Sequence, residues 1–482
     1  MKLASNKTNI VCTIGPASGT QQIMEQMIKA GMTVARLNFS HGDFSGHAEV
    51  VTKLRNASKA VGKRVAIMAD LPGPKMRVGQ IADEPVALRP GELFTLTTDQ
   101  IPGDKNRASV TFDRLPQVVK PGDILYLNDG LIQLEVSHAE GNDVTCRVLI
   151  GGELRSRKGL NLPGIDLGIS AFTERDRECL VIAKQLGVDA VSQSFVDAAS
   201  DITAVRSAAK EMNYYPFIIA KIERSTALSH IDEILKAADG IMIARGDLGV
   251  EIPIEEIAPV QKMLMRKVNK LGTPVITATQ MLESMTTSPR PTRAEATDVA
   301  NAILDGTDCV MLSGESAMGM FPVESVDMLA KIAAAIEPTR QAHPVRDILG
   351  ALPDTKCPKL SDIIAMGVDS TLKCVTPAAI FVPTHGGGTA RRISRFRLPG
   401  WIIAVSSQES TCQELQFSYG VHAAHETSHP DNWNVYIRDW LTAHEVEGNL
   451  ALLTEGPSSK FPDMNNKMEI VDLKHPGDCT KG

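Results

Sequence analysis

Eight times along this chain a short aliphatic run of strand length gives way to a helical period, and that repetition constrains the fold more than any other feature. The runs are Asn9–Gly15, Val34–His41, Arg64–Asp70, Val188–Phe195, Phe217–Glu223, Ile241–Asp247, Pro274–Gln280 and Cys309–Glu315. Helical spacing of apolar residues follows over Gln21–Ala30, up to Val61, and over Thr173–Leu186, Ala198–Met212, Ala227–Ala238, Pro253–Leu271 and Val323–Ile336. Thr292-Arg-Ala-Glu295, behind Pro291, is a capping box and opens the remaining helix. Strands alternating with helices make a parallel sheet. Eight units predict an α/β fold of the (β/α)8 TIM-barrel type, with the active site at the carboxyl ends of the strands.

The rhythm breaks once. From Lys75 to about Asp166 there is no helical period, and short alternating segments (Leu93–Thr97, Ile124–Leu127, Leu131–Val136, Val144–Ile150) are separated by turns such as Asn128-Asp-Gly130. A small inserted β domain is therefore expected at 72–166, dividing the barrel into 1–71 and 167–338. A stretch with four prolines, Pro338 to Ser361, reads as a linker. Beyond it Ala378–Thr384, Trp401–Ser407, Asn449–Thr454 and Met468–Leu473 read as strands and Thr389–Phe396 as a helix, so 339–482 is expected to be a separate α/β domain.

Composition limits the function classes. With 482 residues there is room for about three domains. A net charge of −7 and the lack of basic runs argue against nucleic-acid or membrane partners. The eight cysteines form no C-x-x-C pair, which suits reduced thiols in a cytoplasmic protein rather than a disulfide framework. Met1 to Thr8 has no apolar core behind its lysines and is not read as a signal peptide, and no apolar run has transmembrane length.

The strand ends carry the chemistry. In Phe217-Ile-Ile-Ala-Lys221-Ile-Glu223, Ile218, Ala220 and Ile222 share one face while Lys221 and Glu223 share the other. Charge at the end of a buried strand is costly unless paired or metal-bound. Asp247 closes the next run on a glycine-flanked turn. Two carboxylates on neighbouring strand ends beside an ammonium suggest a divalent-cation and anion site; a structural salt bridge is the other reading. Arg36, Asn38, Ser40, Asp70, Lys221, Glu223, Asp247, Thr279, Ser313 and Glu315 place polar residues at six of the eight strand ends.

Longer motifs then become specific. Thr8-Asn-Ile-Val-Cys-Thr-Ile-Gly-Pro-Ala-Ser18, Ala35-Arg-Leu-Asn-Phe-Ser-His-Gly42, Ala220-Lys-Ile-Glu223, Ala244-Arg-Gly-Asp-Leu-Gly249, Thr277-Ala-Thr-Gln-Met-Leu-Glu-Ser-Met285, Pro289-Arg-Pro-Thr-Arg-Ala-Glu295 and Met311-Leu-Ser-Gly-Glu315 resemble the pyruvate kinase family. The likeness covers the barrel almost end to end and weakens after Pro338. It implies a barrel, a mobile β lid and a regulatory domain, and phosphoryl transfer from phosphoenolpyruvate to ADP in glycolysis. By the same resemblance Glu223 and Asp247 hold Mg²⁺ (or Mn²⁺), Lys221 stabilises the charge on the transferring phosphate and the enolate, and Arg36 grips the phosphoryl group. Arg245, Gly246, Asp247 and Thr279 receive the substrate carboxylate. Ser313 and Glu315 are candidates for the proton relay, whose donor stays open. Asn38, His41, Arg77 and, from the insert, Lys158 match nucleotide contacts. A homotetramer is the family's usual assembly.

Two departures stand out. The family's K⁺ site maps to Asn38, Ser40, Asp70 and Leu71, yet Leu71-Pro-Gly-Pro-Lys75 replaces the Thr-Lys-Gly-Pro-Glu of K⁺-dependent members. Lys75 is expected to supply the charge that K⁺ otherwise brings. In the C-terminal domain, Thr384-His385-Gly386-Gly387-Gly388-Thr389-Ala390-Arg391-Arg392 resembles the effector loop. Gly388 stands where that loop has arginine and Gly386 where it has serine, with Arg391 and Arg392 as the expected substitutes; a phosphorylated metabolite is the expected effector. The competing readings are another metal-dependent phosphoenolpyruvate/pyruvate barrel enzyme, which would need no ADP site, and a non-catalytic sugar-phosphate sensor.

Overall fold

The computed structural model describes residues 2–340, 360–457 and 465–474. Eight parallel strands close into a barrel: Asn9–Thr13, Met32–Asn38, Ala66–Leu71, Ala190–Gln193, Phe217–Ile222, Gly240–Ala244, Val275–Ala278 and Cys309–Leu312. They are numbered here first to eighth, and the first pairs with both the second and the eighth. Alternation sets each side chain's environment. On the fifth strand, Ile218, Ala220 and Ile222 pack outward on the helices, while Phe217 and Ile219 fill the barrel interior. Burial on both faces is what a continuous aliphatic strand is suited to.

Helix caps follow the sequence signals. Thr292 and Glu295 form the reciprocal capping box of the helix Arg293–Asp305. Asp43 caps Phe44–Val61, which stops at left-handed Gly62. Several boundaries differ from expectation. The sixth strand stops at Ala244, so Asp247 lies in a short helix, Arg245–Glu251, rather than on the strand. The eighth stops at Leu312, before the helix Gly314–Ala317. The seventh stops at Ala278, because Thr279 and Gln280 take positive φ of 74° and 55°. The helix expected over Ala227–Ala238 is two pieces, Ser225–Ser229 and Ile231–Ala237, meeting at His230. Pro253 precedes a 3-10 turn, and the helix proper is Ile257–Leu271.

Between the third and fourth strands lies a six-stranded sheet ordered Leu160–Asn161, Ile124–Leu127, Ile132–Glu140, Asp143–Ile150, Leu93–Thr97, Arg107–Ser109, with its own aliphatic core. Gly152–Leu154 pairs separately with Val86–Leu88. The four expected segments are strands, and the four short ones carry too little alternation to be read from sequence.

The C-terminal sheet is ordered Val421–His425, Trp401–Ser406, Ala379–Pro383, Leu450–Glu455, Lys467–Asp472, with the last strand antiparallel. Val421–His425 and the helices Leu360–Leu372 and Trp433–Ala443 are additional to the expected elements. The linker-like stretch lies mostly outside the described residues. Among the described residues no helix is long and apolar enough to cross a membrane.

Phe417, from the C-terminal part, enters the barrel's own interior cluster. Its ring stacks on Phe217 at the amino end of the fifth strand, with centroids 5.3 Å apart and planes 10° from parallel. Phe417→Ala should destabilise the protein by about 3–5 kcal/mol through the cavity it leaves. A urea denaturation midpoint equal to wild type would show that the stack carries no such energy.

Candidate active site

Strand register places the buried charges. Asp70 pairs in register with Asn38 on one side and Ser192 on the other. The Ser192 hydroxyl donates to Asp70 Oδ1 at 2.6 Å. Asp70 Oδ2 accepts from Arg36 Nε at 3.1 Å, from Arg36 Nη2, and from Lys221 Nζ at 3.3 Å. Arg36 Nη1 reaches Thr13 Oγ1 at 2.9 Å. Lys221 also donates to Ser194 Oγ at 2.7 Å and pairs with Glu223 Oε1 at 2.8 Å. The other oxygen of Glu223 accepts the Phe195 backbone N–H at 2.7 Å. Asp70, Lys221 and Glu223 are 3%, 8% and 2% exposed, so these charges interact with little water between them.

Burial alone would raise the pKa of Asp70, but Lys221 and Arg36 beside it hold the carboxyl down to about 2. Burial works against the charge on Lys221, and Asp70 and Glu223 outweigh it, so the ammonium is kept. Glu223 is pushed upward, first by burial and also by the charge of Asp247, against the pull of Lys221.

The structure thus brings Arg36, Asp70, Lys221 and Glu223 into one rim, with Asp247 close enough to act on Glu223. Among the described residues no group of three or more His, Cys, Asp and Glu side chains is arranged to hold a metal. A pair of carboxylates still fits Mg²⁺, which takes one or two from the protein and fills its octahedron with water and substrate oxygens.

Gly246 and Thr279 define the neighbouring surface. A Cβ on Gly246 would lie 2.8 Å from Thr279 Cγ2, so only glycine allows this approach. Thr279 has a φ of 74°, unusual for a β-branched residue. Arg245 points away and braces the seventh strand, donating to Thr279 O at 2.8 Å and Ala278 O at 3.2 Å while pairing with Asp298. Glu315 is fully buried, and its two oxygens accept the N–H groups of Leu282 (3.0 Å) and Ser313 (2.7 Å). It pins two loops together, and Ser313 is the more accessible of that pair.

On the other side of the rim, Asn38 Oδ1 accepts the Ser40 N–H at 3.1 Å. Burial lowers the pKa of exposed-rim His41, helped by the charges of Lys75, Arg77 and Arg36, so these cations converge around it. Arg77 donates to Arg157 O at 2.8 Å and bridges to Gly159, and Val78 N–H donates to Lys158 O at 2.8 Å. Arg77 and Lys158 therefore lie on paired backbone where the insert leaves the barrel.

Thr384, His385, Gly386, Gly388, Thr389 and Arg392 line a cavity of about 410 Å³ in the C-terminal part. Gly387 is the left-handed residue before the helix Gly388–Ser394. Arg391 is directed elsewhere: it donates to Gly386 O at 3.0 Å and Glu414 at 2.9 Å, and lies over Phe217. Glu426 and Glu455 add acidic groups to the same cavity.

Thr13, Ser192, Ser194 and Phe195 are absent from the expected site. Ser192 and Ser194 recur at a strand period in the run Val188–Phe195, which puts both on one face.

A family model described as the pyruvate kinase barrel domain matches residues 5–326, and one described as the pyruvate kinase alpha/beta domain matches residues 362–471. The chain is 49% identical over 476 residues to a pyruvate kinase of Thermococcus litoralis, covering 98% of this chain and 100% of that one. It is 42% identical to a pyruvate kinase of Geobacillus stearothermophilus, covering 96% of this chain and 80% of that one. A crystal structure of a pyruvate kinase from Cryptosporidium parvum matches with a TM-score of 0.90 at 36% identity, covering 97% and 96% of the two chains.

Asp70→Asn would leave Arg36 and Lys221 buried without their shared counter-charge and should cost about 3–5 kcal/mol in urea denaturation at pH 7. The folded pKa of Asp70 is depressed, so its contribution is complete above the unfolded carboxylate range and falls away as pH drops toward 2. The gap between wild type and D70N should accordingly narrow below pH 4, and a gap independent of pH would contradict this.

Proposed function

This chain belongs to the pyruvate kinase family, and we propose that the phosphotransfer it catalyses runs from phosphoenolpyruvate to ADP, giving ATP and pyruvate. The observation that carries the reading is the buried Lys221 ammonium, fixed between Asp70 and Glu223 at the mouth of the barrel. Phosphoryl transfer asks the protein mainly to position its reactants and neutralise their charge. Arg36 and Lys221 converge on that task from the second and fifth strands.

In the proposed reaction a β-phosphate oxygen of ADP attacks phosphorus and the bond to the enol oxygen breaks, leaving its electron pair on the enolate. Lys221 steadies the charge on the moving phosphoryl group and the departing oxygen. Arg36 holds the phosphoryl oxygens. The Gly246 and Asp247 backbone, at a helix start, and the Thr279 hydroxyl receive the substrate carboxylate. Thr279 and Ser313 border the route by which a proton reaches the enolate carbon. Glu223 and Asp247 would hold Mg²⁺ (or Mn²⁺), which neutralises charge on the phosphoryl oxygens when bound. His41, Arg77 and Lys158 meet the nucleotide, and the insert excludes water as it closes.

We further propose that K⁺ is dispensable. Asp70 already faces two cations in this structure, and Lys75 stands at the same rim. A phosphorylated effector would use the Thr384–Thr389 loop with Arg392, and the working form would be a cytoplasmic homotetramer.

ATP formation from phosphoenolpyruvate and ADP, followed by a luciferase assay, tests the reaction; a protein forming no ATP would end it. Lys221→Met should lower kcat by about a hundred- to a thousandfold, and unchanged turnover would remove the role given to Lys221. Activity should persist when K⁺ is replaced by a tetraalkylammonium ion, and collapse in that buffer would refute the part assigned to Lys75.

A further inference from the structure

We infer that Ser194 is a positioning residue for phosphoryl transfer, holding the Lys221 ammonium in line when its carboxylate partners are engaged elsewhere. The inference rests on the reaction proposed above. An ammonium has three N–H donors, and Lys221 has three acceptors: Ser194 Oγ at 2.7 Å, Glu223 Oε1 at 2.8 Å and Asp70 Oδ2 at 3.3 Å. Two of the three are committed to other cations. Asp70 Oδ2 is shared with two N–H groups of Arg36. Glu223 is a proposed metal ligand, and its pairing with Lys221 would loosen when an ion is held there. Ser194 is the one acceptor with no charge and no competing cation. It can aim the ammonium without neutralising it, and the uncancelled charge is what a transferring phosphoryl group requires.

The surroundings are built to keep Ser194 in place. It is 4% exposed. Its carbonyl accepts from Gln193 Nε2 at 3.1 Å. A Cβ on Gly73 would come within 3.0 Å of that carbonyl and 3.2 Å of the Ser194 Cβ, so the loop after the third strand closes on Ser194 only as glycine. The next residue, Phe195, takes a φ of 57° and directs its N–H to Glu223 Oε2 at 2.7 Å. Non-glycine residues adopt that conformation at a cost and where the surroundings impose it. One corner at the end of the fourth strand therefore holds Lys221 by a side chain and Glu223 by a backbone group.

Steady-state kinetics of Ser194→Ala, Ser194→Cys and Ser194→Thr, run beside the wild type, test this. Alanine removes the acceptor and cysteine keeps the size with a weak one. Both should lose about ten- to a hundredfold in kcat, the range expected for a hydrogen bond to a charged group. KM for ADP and the Mn²⁺ dissociation constant measured by electron paramagnetic resonance should stay at wild-type values. Threonine restores the hydroxyl and should recover most of kcat. Wild-type kcat in S194A would overturn the inference. So would a loss that tracks weaker Mn²⁺ binding or that threonine fails to restore, since it would mark Ser194 as merely structural. A wild type without turnover would end the proposed function instead, whereas an unchanged S194A beside an active wild type ends this inference alone.

Discussion

Two cations meeting on the single carboxylate of Asp70 are the constraint around which the barrel mouth is arranged. Arg36 and Lys221 arrive from strands that are not neighbours; Lys221 is buried and Arg36 largely so. Placing either charge there without a partner would be costly. Strand register supplies the solution by putting Ser192 beside Asp70, so both carboxylate oxygens are occupied. Glu223 then completes a nearly neutral set with Lys221. Asp247, on the short helix, adds a further carboxylate close enough to act on Glu223.

The same arrangement explains why backbone strain gathers here. Phe195, Thr279 and Gln280 have positive φ, and all three follow barrel strands. The turn at Phe195 directs its N–H to Glu223. Half-buried glycines match them: Gly73 admits the Ser194 carbonyl and Gly246 admits the Thr279 methyl. Close approach, rather than loop flexibility, is the reason for glycine at these two positions.

The eight-fold alternation was legible because burial on both faces demands aliphatic strands, and capping at Thr292 because its chemistry is local. Lys221 and Glu223 could be placed on one face from periodicity alone. What escaped depends on distant contacts. Ser194 looks like any core serine until Lys221 arrives from another strand. Asp247 read as a strand residue because Ile241 to Ala244 leads into it without a break, yet the chain bends into a helix directly after. Arg391 looked like a phosphate ligand by its place in a glycine-rich loop, but Glu414 and the Phe217 ring claim it. Phe417 carries no local mark of its destination inside the barrel.

That destination has a mechanical side. Phe217 is clasped by the Phe417 ring and the Arg391 guanidinium, both contributed by the C-terminal sheet and its helices. Four residues further along the same strand stands Lys221, a span of about 13 Å of extended backbone. The barrel floor and the Lys221 ammonium are thus two ends of one stiff rod, and the C-terminal part grips the lower end. Cutting the two parts apart would bare the Phe217 ring and free the foot of the strand that carries Lys221.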